Sequence, residues 1–199
     1  MMREGLGLVL ALLLAIPTAP TFALEVQNFK FGLVCELEIE LEPGEVGLPV
    51  EWVCFETETV YITGQGRCVY DRQDKHCTWY GYEFDYTGAV QGDEIFCRST
   101  SSLPGNLGTP KGVDEEGVTN HEWSYALPPG DGHHYNPQYT VFGLQDEIET
   151  LDSNETVCTH NGQELYRFQY SKVFPALTEK IVEDSIRRIL ARREATEEE

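Results

Sequence analysis

Basic residues are scarce. The 199-residue chain carries 14 Lys and Arg against 34 Asp and Glu, a formal net charge of −20. A surface so negative is repelled by a phosphate backbone, which argues against nucleic-acid binding. Long apolar runs are also missing: the longest, Leu6 to Ile16, has 11 residues, while a spanning helix needs roughly 20. No Cys-x-x-Cys pair occurs, so neither a dithiol redox motif nor a thiolate zinc site of the usual spacing is expected. The sequence contains no G-x-S-x-G, H-E-x-x-H, P-loop or G-x-G-x-x-G pattern. With carboxylates this abundant, a catalytic acid pair of the glycosidase kind is not identifiable by residue type. Internal repeats and low-complexity blocks are absent too. At 41% hydrophobic and 11% aromatic residues, the chain is nevertheless too apolar to be disordered throughout.

The first 23 residues read as an export signal. Arg3 precedes the apolar run, Pro17 follows it, and Thr21-Phe22-Ala23 places small residues at the −3 and −1 positions of a cleavage site. Cleavage is expected near Ala23. It would leave a secreted or periplasmic protein without a membrane anchor. The leader holds one base, Arg3, and one acid, Glu4, so its removal leaves the charge unchanged. Six cysteines, all beyond the leader, fit an oxidising destination and three disulfides.

Residues 24–174 read as a disulfide-stapled all-β domain, an antiparallel sandwich or barrel of about eight strands. From Leu33 to Glu42 apolar and acidic residues alternate, as in a half-buried strand. Val50 to Ile62 continues in β-type residues, with a change of parity that predicts a bulge near Cys54. Arg67–Tyr70 and Cys77–Tyr86 flank a polar loop, Asp71–His76. Ile95–Ser99, His121–Leu127 and Tyr139–Leu144 are further strands. Asn161-Gly162 joins Thr156–His160 to Gln163–Tyr170 as a type I′ hairpin. Residues 101–137, rich in glycine and proline, read as a long functional loop region. Residues 175–199 switch to a helical period through Leu177, Ile181, Val182, Ile186, Ile189 and Leu190. They form an amphipathic helix with Pro175 in its first turn and a frayed acidic end. Its acids precede its arginines, an order that complements the helix dipole.

Hairpin geometry orders the cysteines. A turn centred in Asp71–His76 sets Cys68 nearly opposite Cys77, and one at Pro43–Leu48 sets Cys35 near Cys54. Cys97 and Cys158 remain to join the first half of the chain to the late hairpin.

Three groups of residues are candidates for function. Glu36, Glu38, Glu40 and Glu42 form an acidic face that is either solvated or turned to a basic or cationic partner. His121, Asp131, His133 and His134 are the residue types that hold Zn²⁺ or Cu²⁺, although adjacent histidines on an extended segment point apart and no closed metal motif is matched. Calcium is less expected, since no D-x-D-x-D-G loop is present. Tyr80, Tyr82, Phe84 and Tyr86 share one strand face. Its default role is core, but if exposed, Tyr80, Tyr82 and Tyr86 would make a platform that Trp123 and Tyr125 extend, suited to sugar rings or a protein. The leading expectation is a non-catalytic binding module for protein or carbohydrate, without an obligatory cofactor. Metal capture and a small exported hydrolase are the alternatives. The Asn154-Glu155-Thr156 sequon leaves glycosylation of Asn154 open.

Overall fold

The computed structural model describes residues 24–34, 53–109 and 112–197. Residues 1–23, expected to be an export leader, together with Cys35 and the glutamates 36, 38, 40 and 42, lie outside the described residues. Ten strands and one helix follow in order: β1 (Glu25–Val34), β2 (Val53–Glu56), β3 (Thr59–Tyr61), β4 (Gly66–Tyr70), β5 (Gln73–Ala89), β6 (Glu94–Thr109), β7 (Gly112–Ala126), β8 (Gly130–Val141), β9 (Asp152–His160), β10 (Gln163–Val173) and α1 (Pro175–Glu197).

The strands form two packed sheets, a β-sandwich. One runs β2-β1-β5-β4, with β8 on the other edge of β5; the second runs β3-β10-β9-β6-β7. Every pairing is antiparallel except β10 with β3. The core is aromatic. Phe31 and the inward face of β5 (Tyr80, Tyr82, Phe84, Tyr86) meet Tyr166, Phe168 and Tyr170 of β10. Ring centroids approach to 4.6 Å for Phe31–Tyr170 and 5.2 Å for Tyr82–Phe168 and Phe84–Tyr166. Period-2 alternation produces this arrangement: the other parity of β5, including Trp79 and Glu83, faces outward. Trp79 is still covered there, in a smaller cluster with Cys68, Cys77, Tyr139 and Val141.

Several expectations change. The first described strand, Glu25–Val34, begins before Leu33, and residues 35–42 of the strand expected from Leu33 to Glu42 lie outside the described residues. The proposed loop Asp71–His76 is a two-residue turn. Asp71 and Arg72 both take positive φ, 47° and 60°, the type I′ geometry that the twist of a hairpin favours. Without Asn-Gly there, the polar residues Gln73–His76 read as loop but are strand. Cys68 consequently lies opposite Lys75 and diagonal to Cys77. The two are still bonded, with Cα atoms 5.9 Å apart, and Cys97 is bonded to Cys158 across directly paired positions of β6 and β9. Cys54 also forms a disulfide, and it is the extra residue where Leu33↔Phe55 steps to Val34↔Val53.

The largest correction concerns residues 101–137. They are mostly strand: the distal β6–β7 hairpin and most of β8. Pro104 and Gly105 fall where the β6–β7 register shifts, and Pro137 sits on β8, an edge strand with no neighbour on one side among the described residues. Edges and bulges are where a sheet tolerates proline, because no ladder donor is required.

The helix begins at Pro175, as expected. No acid falls in its first turn and no base in its last, so its charge order does not complement its own dipole, an effect confined to the end turns. Phe174 anchors it in the core, yet Ile181, Val182, Ile186, Ile189 and Leu190 are about half exposed, at 48–54%.

Candidate ligand cleft

β7 and β8 are edges of different sheets on the same side of the sandwich, and among the described residues no ladder closes the gap between them. A cleft of about 810 Å³ opens there, bounded by β6, β7, β8 and the segment after β8, with Tyr80, Tyr170 and Lys172 at its back.

Its floor comes from the inward parity of β9 and β10. Cys158 faces the core, so Thr156, Asn154 and Asp152, at intervals of two, face the same way. All three are buried. Buried polar groups need partners, and these have them. Asp152 accepts from Ser102 Oγ at 3.2 Å and Leu103 N at 3.1 Å, and pairs with Lys172 Nζ at 3.3 Å. Asn154 Nδ2 donates to the Asp152 carbonyl at 2.9 Å, and Thr156 Oγ1 donates to Ser99 Oγ at 3.2 Å. Burial works to lower the Lys172 pKa, but Tyr80 and the Asp152 carboxylate outweigh it, and the net direction is up. Lys172 is thus a half-buried ammonium that pairs with Asp152 and has capacity for further acceptors. Burial pushes the Tyr170 phenol beside it well up.

The walls are aromatic and amide. On β7, His121 stacks on Trp123 with centroids 5.3 Å apart and planes 16° from parallel. The His121 Nδ1 atom is buried and has no hydrogen-bond partner. Asn120, Asn136 and Gln138 add amides, and Tyr70 and Tyr139 close the other end.

The four metal candidates do not converge. His121 lies in the cleft. Asp131 accepts from Gly88 N at 3.0 Å. His133 turns outward, with Nδ1 2.9 Å from Asp85 and Nε2 3.8 Å from Glu83. His134, the next residue on the strand, turns inward and stacks on Tyr125 at 4.5 Å. Among the described residues no group of three or more His, Cys, Asp or Glu is placed to hold a metal ion, and alternation along β8 is the reason. The four candidates therefore do not form a shared metal site among the described residues.

The tyrosine platform is corrected as well. Tyr80, Tyr82 and Tyr86 are at most 4% exposed, because a second sheet covers them. Tyr125 is half-buried, within hydrogen-bond reach of Tyr166 Oη at 2.6 Å, which in turn donates to Tyr82 at 3.3 Å. Of the five, only Tyr80 and Trp123 line the cleft. Sequence reasoning missed Asp152, Asn154, Thr156 and Lys172. The available signal was polar side chains sharing the core-facing parity of Cys158 and Tyr170. Asn154 also carries the sequon, and in the folded chain its amide is buried and engaged.

No family model matches the chain, and no curated protein matches it. Among solved structures, an immunoglobulin-like protein from Pseudomonas aeruginosa aligns with a TM-score of 0.49 and 11% identity, over 78% of this chain and 100% of the other.

Proposed function

We propose that this chain is an exported binding module that takes a polyhydroxylated ligand, a short carbohydrate, in the cleft between β7 and β8. The observation that carries the reading is the composition of the cleft: stacked or flat rings (Trp123, Tyr70, Tyr139) beside amides and one Lys–Asp pair. Sugars present apolar C–H faces and dense hydroxyls, which aromatic rings and amide or charged groups respectively accommodate. The cleft volume of about 810 Å³ falls in the range of about 300–1,000 Å³ usual for small-molecule sites. The unpartnered His121 Nδ1 offers a position for a ligand hydroxyl. The leader, and disulfides that persist in oxidising compartments, support export.

Calorimetry against a glycan panel, with tryptophan fluorescence as a second readout, tests this. Binding by the unmodified protein, lost in Trp123→Ala and weakened in Asn120→Ala, is the expected result. Binding of no glycan, or binding indifferent to both substitutions, would reject the site. Export is checked by sequencing the N-terminus of the mature protein, expected to start at Leu24.

A further inference from the structure

The hairpin of β6 and β7 outruns the sheet that carries it. From Ile95 to Ser101, β6 pairs with β9 on one side, and up to Thr100 it pairs in regular register with β7 on the other. Beyond Ser101 it pairs with β7 alone among the described residues. There the register slips. Between Thr100↔Asn120 and Gly105↔Val118, residues 101–104 of β6 stand against Thr119 of β7, and further shifts follow on the way to Gly108. On the facing strand Gly117 takes a positive φ of 63°, a conformation glycine adopts without strain. Bulges bend a strand and interrupt its ladder, and an isolated two-stranded hairpin is marginal in water. The distal hairpin therefore depends on what it rests against. It arches over the cleft, whose wall includes Leu103, Leu107 and Gly108. At its base Asp152 Oδ1 accepts from Ser102 Oγ and Leu103 N, and Gln145 Nε2 donates to the Pro104 carbonyl at 3.1 Å. At its far end Gly108 lies against the Tyr70 ring of β4, in the other sheet, where an added Cβ would sit 2.5 Å from Tyr70 Cε2. Burial pushes the Tyr70 phenol up, and the charges of Asp71 and of Glu116, on the returning strand, add to it.

We infer that the distal β6–β7 hairpin, residues 102–109 and 112–118, is a strap across the cleft, which lifts about the bulge at residues 101–104 to admit the ligand and closes by seating Gly108 on Tyr70. The strap links the two sheets on the side where no ladder does among the described residues. Its far end rests on the approach of a glycine to a ring, a contact that opens locally at far lower cost than the paired strands of the core. Its base is coupled to the back of the cleft through one carboxylate. Asp152 holds Ser102 and Leu103 with Oδ1 and Lys172 with Oδ2. A ligand acceptor that engages Lys172 thus acts on the group that fixes the joint. The inference rests on the cleft being the ligand site, and is indifferent to whether that ligand is a carbohydrate.

Two measurements on the full chain without ligand test the strap. Amide hydrogen exchange read by NMR should show residues 105–108 and 115–118 exchanging about 100-fold or more faster than residues 95–99. Thr156→Cys places a thiol on the buried floor of the cleft, and among the described residues no native cysteine is free to compete. Its labelling by a maleimide should be slow, and about 10-fold or more faster once Gly108→Val pushes the tip off Tyr70. The urea midpoint of the sandwich, and the labelling of a Gln169→Cys control on its exposed outer face, should not change. Exchange at 105–108 as slow as at 95–99, or Thr156→Cys labelling that Gly108→Val leaves unaltered, would each overturn the inference. Both readouts are separate from the glycan panel, whose failure would reject the carbohydrate reading without altering either of them.

Discussion

Substituting His134 by Phe should make the protein less acid-sensitive. His134 projects from β8 into the aromatic core, stacked on Tyr125 at 4.5 Å and 7° from parallel, with Phe84 at 5.0 Å. Its Nε2 atom is buried and has no hydrogen-bond partner. Burial above all, and the neighbouring His133, hold its pKa down from 6.5 to about 4. The unfolded chain binds this proton near pH 6.5 while the folded chain resists it until about pH 4. Stability contributed by the neutral ring is therefore complete above 6.5 and is lost as pH falls through that window. The full shift corresponds to about 3 kcal/mol, of which about 2 would be gone by pH 5. Solvent reaches part of the ring, so screening reduces the expected loss at pH 5 to about 1–2 kcal/mol. The window between pH 6.5 and 5 also precedes protonation of the ion-paired carboxylates Glu149, Glu155 and Glu164, whose pKa values are lowered by hydrogen bonds to Lys180, Gln169 and Arg167 respectively. The assay is urea unfolding from pH 7.5 to 5 for both proteins. His134→Phe keeps a ring against Tyr125 and removes the unpartnered nitrogen, so it should also be about 1 kcal/mol more stable at pH 7.5. Identical pH slopes in the two proteins would refute the reasoning, as would an NMR titration of His134 near 6.5.

Asp152→Asn leaves the half-buried Lys172 without this ion-pair partner and should cost about 2–3 kcal/mol, read from the urea midpoint. Gly81→Ala should be severely destabilising, by about 2–3 kcal/mol or more, because its Cβ would lie 2.3 Å from the Asn136 carbonyl oxygen of the adjacent strand; loss of soluble expression is the simplest readout. Replacing both Cys97 and Cys158 by Ala opens a connection between residues 61 apart in sequence, worth about 4 kcal/mol in the chain-entropy account, and calorimetry should show a clearly lower Tm. The Asn154 amide should carry no glycan on folded protein even in a glycosylating host, as intact mass would show, since its nitrogen is buried and bonded to the Asp152 carbonyl.

Much of the framework is legible along the chain. The strict alternation Tyr80, Tyr82, Phe84, Tyr86 defines one face of β5, and Asn161-Gly162 takes the positive φ pair, 51° and 77°, that a type I′ turn needs. The bulge at Cys54 and the helix start at Pro175 follow from parity and from the ring of proline. Harder to read were Asp71-Arg72, which adopts the same turn without glycine, and residues 101–137, whose prolines and glycines occupy sheet edges and bulges rather than loops. In both places tertiary pairing overrides local preference.

The sequence by itself determined the β class, the alternating faces and the helical tail, because these depend on periodicity and turn chemistry within a few residues. Only the tertiary structure decided which faces are buried and what they meet. A tyrosine stripe is a platform or a core according to whether a second sheet covers it, and two adjacent histidines part company because one strand sends them to opposite sides. The cleft is decided the same way. Lys172 and Asp152 are 20 positions apart in sequence, and directly paired β9 and β10 bring them together. His121 and Trp123 arrive from the other edge of the same sheet, and β8 supplies the facing wall from the other sheet. Burial and convergence are properties of paired strands and packed layers, and no single stretch of chain contains them.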